Sequence, residues 1–283
     1  MPILGTVNGS FFAGMRSTAY SGGTWNPSTS ITTAFWLDAS DTTSYTLSFN
    51  NVTAITDKSG NFSSINVQNT PQRVSGDLNS YNTILFDGSE DFTTATTEAV
   101  VSSGNHWSIG VFQWNTINNN KDTFYSFETD QSPKRDYAIS SSNASAFDGE
   151  LDLDGLSSNR ISTTIGNSQD FDSGIAQNTW TIIGTFFNKT GNQIGVRVNG
   201  ANAFTPVNDY DNNLKEQQDV RIFRNRSSER MAGKMAEFFA VADVPGTGGT
   251  DISEFEKAEG YLAHKWGLTS NLPVSHTYKS SAP

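Results

Sequence analysis

Short stretches of alternating apolar and polar residues, closed by turn residues, run through most of this chain. Ala34-Phe-Trp-Leu-Asp38 opens the series and Tyr45-Thr-Leu-Ser-Phe49 follows with period two. Asn50-Asn51 turns the chain into Val52-Thr-Ala-Ile-Thr56, and Asp57-Lys-Ser-Gly-Asn61 is turn chemistry again. The pattern predicts further strands over Tyr81–Phe86, Trp107–Trp114, Thr123–Glu128 and Tyr137–Ser140. It resumes at Trp180–Phe187, Gln193–Val198, Val220–Phe223 and Met235–Ala242, and Thr179 to Gly200 reads as two successive hairpins. Many short strands without amphipathic helices between them predict an antiparallel two-sheet jelly-roll sandwich. No fixed-period repeat is present.

One segment breaks the pattern. From Asp251, residues Ile252, Phe255, Ala258, Leu262 and Trp266 recur at helical spacing and form one apolar stripe. Asp251 is placed to cap this helix, with Glu254 three residues on as in a capping box. His264 and Lys265 fall in the last turn, where positive charge suits the helix dipole, and Gly267 can close it in the left-handed conformation. A lone helix behind a long β region is expected to flank the sandwich. Residues 1–30 are rich in Gly, Ser and Thr with scattered aromatics, among them Phe11, Phe12, Tyr20 and Trp25. They read as an arm that lies on its own domain or on a neighbouring subunit. The organisation is then an arm over 1–30, a sandwich over 31–250, and a closing helix with an extended tail over 251–283.

Composition narrows the function. Charged residues are 17% of the 283, so Ser, Thr, Asn and Gln must build much of the surface, while 19 Phe and 6 Trp supply a core. A net charge of −11 repels phosphate backbones and favours cations or neutral polar ligands such as sugars. With no cysteine there is no disulfide and no thiolate site. The first residues lack a basic region followed by an apolar run, so no secretion signal is expected. No apolar run approaches the ~20 residues of a membrane span.

Four motifs resemble the concanavalin A-like lectin/glucanase superfamily, in particular its laminin-G-like branch. They are Phe35-Trp-Leu-Asp-Ala-Ser-Asp41, Asp57-Lys-Ser-Gly-Asn61, the late hairpin from Trp180 to Val196-Arg-Val-Asn-Gly200, and Met231 to Ala242 as the last core strand. The tail from Glu259 to Pro283 resembles the closing helix and tail of such domains in marine bacteriophage and bacterial surface proteins. The resemblance covers the chain from about Ile31 onward. It implies a two-sheet jelly roll used for glycan binding or for structural display.

Candidate chemistry is sparse. Glu150-Leu-Asp-Leu-Asp154, if a strand, places three carboxylates on one face in steps of about 7 Å. The run is similar to the Glu-x-Asp-x-Glu strand of family-16 glucanases. The resemblance would make Glu150 the nucleophile, Asp152 its pKa-tuning partner and Asp154 the acid/base of a retaining hydrolase. Asp in place of Glu at 154 retracts the proton donor by one methylene, and the Trp-rich substrate signature upstream is absent. The structural alternative is an acidic, solvated edge strand or hairpin. Laminin-G-like domains often hold calcium at the sandwich rim, and Asp148, Asp152, Asp154, Asp209 and Asp211 are the carboxylates available for it.

His106, His264 and His276 lack zinc-binding spacing. Arg221, Arg224, Arg226 and Arg230 form a basic cluster that either grips an acidic partner or pairs with local carboxylates such as Glu229. Trp107 and Trp114, seven apart on one strand, point to opposite faces, so at most one can be a sugar-stacking platform. The favoured expectation is a non-enzymatic bacteriophage virion surface protein, a capsid decoration or tail-fibre component. It would sit on other virion proteins through its arm, form oligomers or arrays, and contact host-surface polysaccharide. Nucleic acid, membrane and bound cofactor other than calcium are not expected. A family-16-type glycoside hydrolase and a pure lectin are the alternatives.

Overall fold

A computed structural model describes residues 24–94, 106–116, 123–128, 137–141, 150–154, 168–172, 175–188, 193–208, 219–224, 230–242 and 252–283. A short helix α1 (Pro27–Ser30) precedes β1 (Phe35–Asp38), β2 (Tyr45–Ser48), β3 (Asn51–Ile55), β4 (Ile65–Gln68), β5 (Gln72–Leu78), β6 (Tyr81–Asp87) and β7 (Asp91–Thr94). Then come β8 (His106–Thr116), β9 (Thr123–Glu128), β10 (Tyr137–Ser141), β11 (Glu150–Asp154), β12 (Ser168–Asp172) and β13 (Thr181–Asn188). The series ends with β14 (Gln193–Val198), β15 (Ala201–Asn208), β16 (Asp219–Ile222), β17 (Ala232–Val241) and the helix α2 (Ser253–Lys265).

The strands pair antiparallel in two sheets. One has ten strands in the order β15-β14-β13-β8-β17-β6-β5-β3-β2, with β1 also on β17; the other has seven, β12-β11-β10-β9-β16-β7-β4. β6 pairs with β17 over Ala232–Met235 and β1 takes over at Glu237–Ala240, so one flank of β17 serves two strands in succession. The architecture is the β-sandwich that the alternation predicts, with α2 as a third layer.

Period-two alternation sorts each central strand between two cores. Phe35, Leu37, Phe112, Trp114, Met235 and Phe238 lie in the core between the sheets, against Phe92, Tyr125, Phe127 and Ile222 of the smaller sheet. The intervening Trp36, Trp107, Ile109, Val111, Ala236 and Phe239 pack under α2 with Phe255, Ala258, Leu262 and Trp266. β17 is therefore covered on both faces and reads as a nearly unbroken apolar run. Trp107 and Trp114 fall on opposite faces as expected, and both are buried.

Several expectations are corrected. β2 stops at Ser48; Phe49 is 97% exposed and holds φ 57° at the hairpin tip. The alternation does not predict β4, β5, β7 or β12; β5 in particular has no fully buried position. The Asp251 cap lies outside the described residues. Ile252 occupies the cap position without a side-chain hydrogen bond, and Glu254 turns to Trp25 and Lys257 instead. Gly267 does close α2 in the left-handed region, at φ 71°. The Glu150–Asp154 strand is not the sheet edge, because β12 lies outside it.

Lys265 falls in the last turn of α2 as expected, but its side chain does more than meet the helix dipole. It leaves the helix end and enters the core, where its Nζ donates to Glu237 Oε2 at 2.8 Å and Asp38 Oδ2 at 3.0 Å. Glu237 is fully buried; it also accepts from Trp36 Nε1, Tyr261 Oη and Trp266 Nε1 at 2.9 to 3.1 Å. Burial pushes the Glu237 carboxyl upward, while Lys265 and the indole of Trp266 pull it back. Four donors around its two oxygens, and no acceptor, hold it as the carboxylate. Burial alone would lower Lys265, but Glu237 and Asp38 together raise it, so the ammonium stays charged. A second ionic knot ties the tail: Arg197 grips Glu259 through Nε at 2.7 Å and Nη2 at 2.9 Å, and His276 Nε2 meets the same carboxylate at 3.0 Å.

Replacing Lys265 by Met strands the Glu237 carboxylate in the core, and removal of one partner of a buried pair costs about 3–5 kcal/mol. Urea denaturation should show a loss of that size; a loss below about 1 kcal/mol would mean the pair contributes no more than a surface one. Phe49→Asn places a residue that tolerates the left-handed region at an exposed tip, and should raise stability by up to about 1 kcal/mol. An unchanged or lowered melting temperature would show that the Phe backbone is not strained.

Candidate functional site

The turn Asp57–Asn61 builds one wall of an open groove. Asp57 Oδ1 accepts from the backbone N–H of Trp36 and Ser59, and Oδ2 from those of Asn61 and Phe62, all at 2.8 to 3.1 Å. This carboxylate anchors the loop to β1 and aims Asn61, whose Nδ2 donates to the carbonyls of Thr33 and Ala34 at 3.2 and 2.9 Å. The segment from α1 into β1 is thereby held as the facing wall, and Ala34 N–H extends the β1–β17 ladder by bonding Ala240 O at 2.8 Å.

The groove encloses about 660 Å³, and its lining includes Thr29, Thr32, Thr33, Asn61, Trp107 and Glu254. Trp107 comes from the helix-facing side of β8, with its ring held edge-on by Phe239 and Phe255. Glu254 stands in the first turn of α2. Its Oε2 accepts from Trp25 Nε1 at 3.0 Å and its Oε1 pairs with Lys257 at 2.5 Å. The hydroxyls of Thr29, Thr32 and Thr33 bond no other protein group among the described residues. Unspent hydroxyls, an amide, one carboxylate and a buried indole suit a hydroxylated ligand; they do not provide a pair of carboxyls for hydrolysis.

The residues singled out in the sequence lie elsewhere. Register places Glu150 opposite Asp172, Asp152 opposite Asp170 and Asp154 opposite Ser168, so five acidic residues share one face of β11 and β12. Ile139 on β10 pairs with both Leu153 and Tyr125, and Tyr125 belongs to the inter-sheet core. Backbone pairing therefore places these positions in the seven-stranded sheet, whereas the groove is built beside β1 and β8 of the other. Asp148, Asp209, Asp211, Phe11, Phe12 and Tyr20 lie outside the described residues. Trp25 is described: it is buried against Tyr261, and its backbone N–H donates to Pro283 O at 3.3 Å.

Among the described residues no group of three or more His, Asp or Glu is placed to hold a metal, and no helix is long and apolar enough to cross a membrane. Arg224 and Arg230 both lie against Asp91, at 3.8 and 2.7 Å, and Arg221 pairs with Asp219 at 2.7 Å. The basic cluster is thus engaged locally, although by Asp91 and Asp219; Arg226 and Glu229 lie outside the described residues.

Besides Glu237 and Asp38 in the core, two further carboxylates among the described residues are shifted, and neither lines the groove. Glu90, in the turn between β6 and β7, is pushed up to about 7 by burial and by the Asp87 carboxylate, against the pull of the Asp87 N–H. Asp41 is held down at about 2, chiefly by its hydrogen bond from Lys58 and then by Thr43.

No protein-family model matches the chain, and no curated protein matches it either. Its fold does have counterparts. The binding domain of botulinum neurotoxin serotype G superposes with a TM-score of 0.53 at 14% identity, over 81% of this chain and 51% of that one. The receptor-binding domain of the botulinum neurotoxin C/D mosaic serotype gives 0.51 at 13% identity, over 81% and 52%. A Trypanosoma rangeli sialidase solved with 2,3-difluorosialic acid as a covalent intermediate gives 0.51 at 8% identity, over 74% and 30%. The chain spans about half the length of the toxin domains and under a third of the sialidase. What is shared at these identities is the sandwich.

The raised Glu90 value fixes a sign. The unfolded side chain loses its proton near 4.5 and the folded one near 7, so its contribution to stability is complete below 4.5 and is lost as pH climbs to 7. Glu90→Gln should therefore melt with the wild type at pH 4 and above it at pH 8. A melting difference that does not change with pH would contradict the assignment.

Proposed function

We propose that this chain is a non-enzymatic, lectin-like module that binds glycans through the groove beside β1. It is of the concanavalin A-like, laminin-G-like kind and is displayed on a bacteriophage virion. The observation that carries the reading is the groove itself, an open cleft of about 660 Å³ with unspent threonine hydroxyls on a sandwich fold. Two structural counterparts are toxin binding domains, and a third was solved with a sialic acid derivative bound. The groove's single carboxylate, Glu254, is already engaged by Lys257 and Trp25, which supports binding without turnover. Virion display rests on the resemblance of the C-terminal tail and on the aromatic arm, of which Trp25 packs into this domain.

A glycan array should show saturable binding, and a reducing-sugar assay on the bound polysaccharide should show no turnover for either wild type or Glu150→Gln. Turnover abolished by that substitution would establish the hydrolase instead. Deleting residues 1–23 should leave the Trp25 contacts and the fold intact but prevent incorporation into particles. Full occupancy by the truncated chain would remove the anchoring role.

A further inference from the structure

We infer that the groove selects uncharged sugars and rejects acidic ones, with the Trp107 indole N–H as a fixed donor and Glu254 as its charged acceptor. This inference rests on the glycan-binding reading and adds the ligand class and the residues that recognise it.

Trp107 carries the first part. Its side chain is 1% exposed, yet its N–H has no hydrogen-bond partner among the described residues. The indoles of Trp25, Trp36 and Trp266 each donate to a carboxylate. Trp107 lines the groove, and its indole nitrogen is not among the fully buried atoms left without a partner, so it opens to the groove's solvent, where a ligand hydroxyl oxygen can replace water as its acceptor.

The remaining lining sets the ligand's charge. Asn61 spends its Nδ2 on Thr33 and Ala34, which leaves its Oδ1 to accept. Glu254 keeps lone pairs beyond those used by Trp25 and Lys257. Thr29, Thr32 and Thr33 can donate or accept, and Ile31 and Val241 supply an apolar wall for the C–H face of a sugar ring. Acceptors thus outnumber fixed donors, which matches a ligand rich in hydroxyl protons. No Lys or Arg is among the lining residues. A sugar carboxylate or sulfate would meet Glu254 with no lining cation to pair with, since the nearby Lys257 is already bonded to Glu254, in a chain whose net charge is −11.

The test uses the full chain and two probe sets: neutral gluco-, manno- and galacto-oligosaccharides, and acidic sialyl-lactose, oligogalacturonate and sulfated galactan. Wild type should bind at least one neutral sugar at least tenfold more tightly than any acidic one. Trp107→Phe keeps a ring against Phe239 and Phe255 and should weaken neutral binding tenfold or more. Thr32→Val, at an exposed position, should weaken it severalfold whether or not the Trp107 variant folds. Glu254→Gln should narrow the neutral-to-acidic ratio tenfold. Tighter binding of the acidic set by wild type, or neutral binding that all three variants retain in full, would overturn this assignment and leave the lectin reading standing. Failure of wild type to bind either set would overturn both.

Discussion

The buried carboxylate of Glu237 holds the layers of this protein in register. It sits on β17, the strand that contributes to both cores, and collects donors from β1, from α2 and from the residue after α2. Apolar packing between helix and sheet is strong but non-directional; by itself it would let α2 slide or rotate against its floor. A desolvated carboxylate does not allow this, because each donor that moved away would leave an unmet acceptor in the core. The Asp38 carboxylate shares Lys265 with Glu237 and passes the network to Lys58, so the knot reaches from the helix to the turn that carries Asn61. Fixing α2 in this way also fixes Glu254 at the rim of the groove, where the indole of Trp25 meets it. The groove is therefore a consequence of the core's ionic register.

The strands that could be read from the sequence are those with one or two buried faces. β1, β6, β8, β13 and β17 must alternate or run apolar to fill two cores, and they do. β5 could not be read because none of its residues is fully buried, so no pattern of burial constrains it. The late hairpins announced themselves through Asn199-Gly200, whose φ values of 50° and 78° are those a tight turn requires. Gly200 has a further reason that sequence does not carry: a Cβ there would stand 2.7 Å from the His276 ring and 2.9 Å from Leu272.

Lys265 lies in the last turn of α2 as the spacing predicts, but the role of its side chain is not legible there for a similar reason. Helical position suggests a role at the dipole, but only the fold brings two carboxylates to meet it. The groove was the least legible feature, because its walls come from residues as far apart as Thr29, Asn61, Trp107 and Glu254. The turn at Asp57 could be recognised as a turn; that it clamps the amide of Asn61 onto the Thr33 and Ala34 carbonyls could not. Trp107 was recognised only as one of two tryptophans on opposite faces, which is true and does not say which face opens to solvent.

The distribution of charge extends this logic to the surface. The sequence holds 29 acidic and 18 basic residues, and many of the described basic groups are already committed to neighbouring acids. Arg197 lies against Glu259, Arg230 and Arg224 against Asp91, Lys234 against Asp77, and Lys58 against Asp38 and Asp41. Pairing of this kind consumes cations and leaves the acidic excess to shape the outer field. At physiological ionic strength that field decays over about 8 Å, short compared with the molecule but comparable to the approach of a sugar to an open groove. An anionic ligand would thus meet like charge on approach and again at Glu254, whereas a neutral one would meet neither barrier. The proposed selection by charge would then combine the local carboxylate of Glu254 with the field of an acidic chain whose cations are already employed in holding it together.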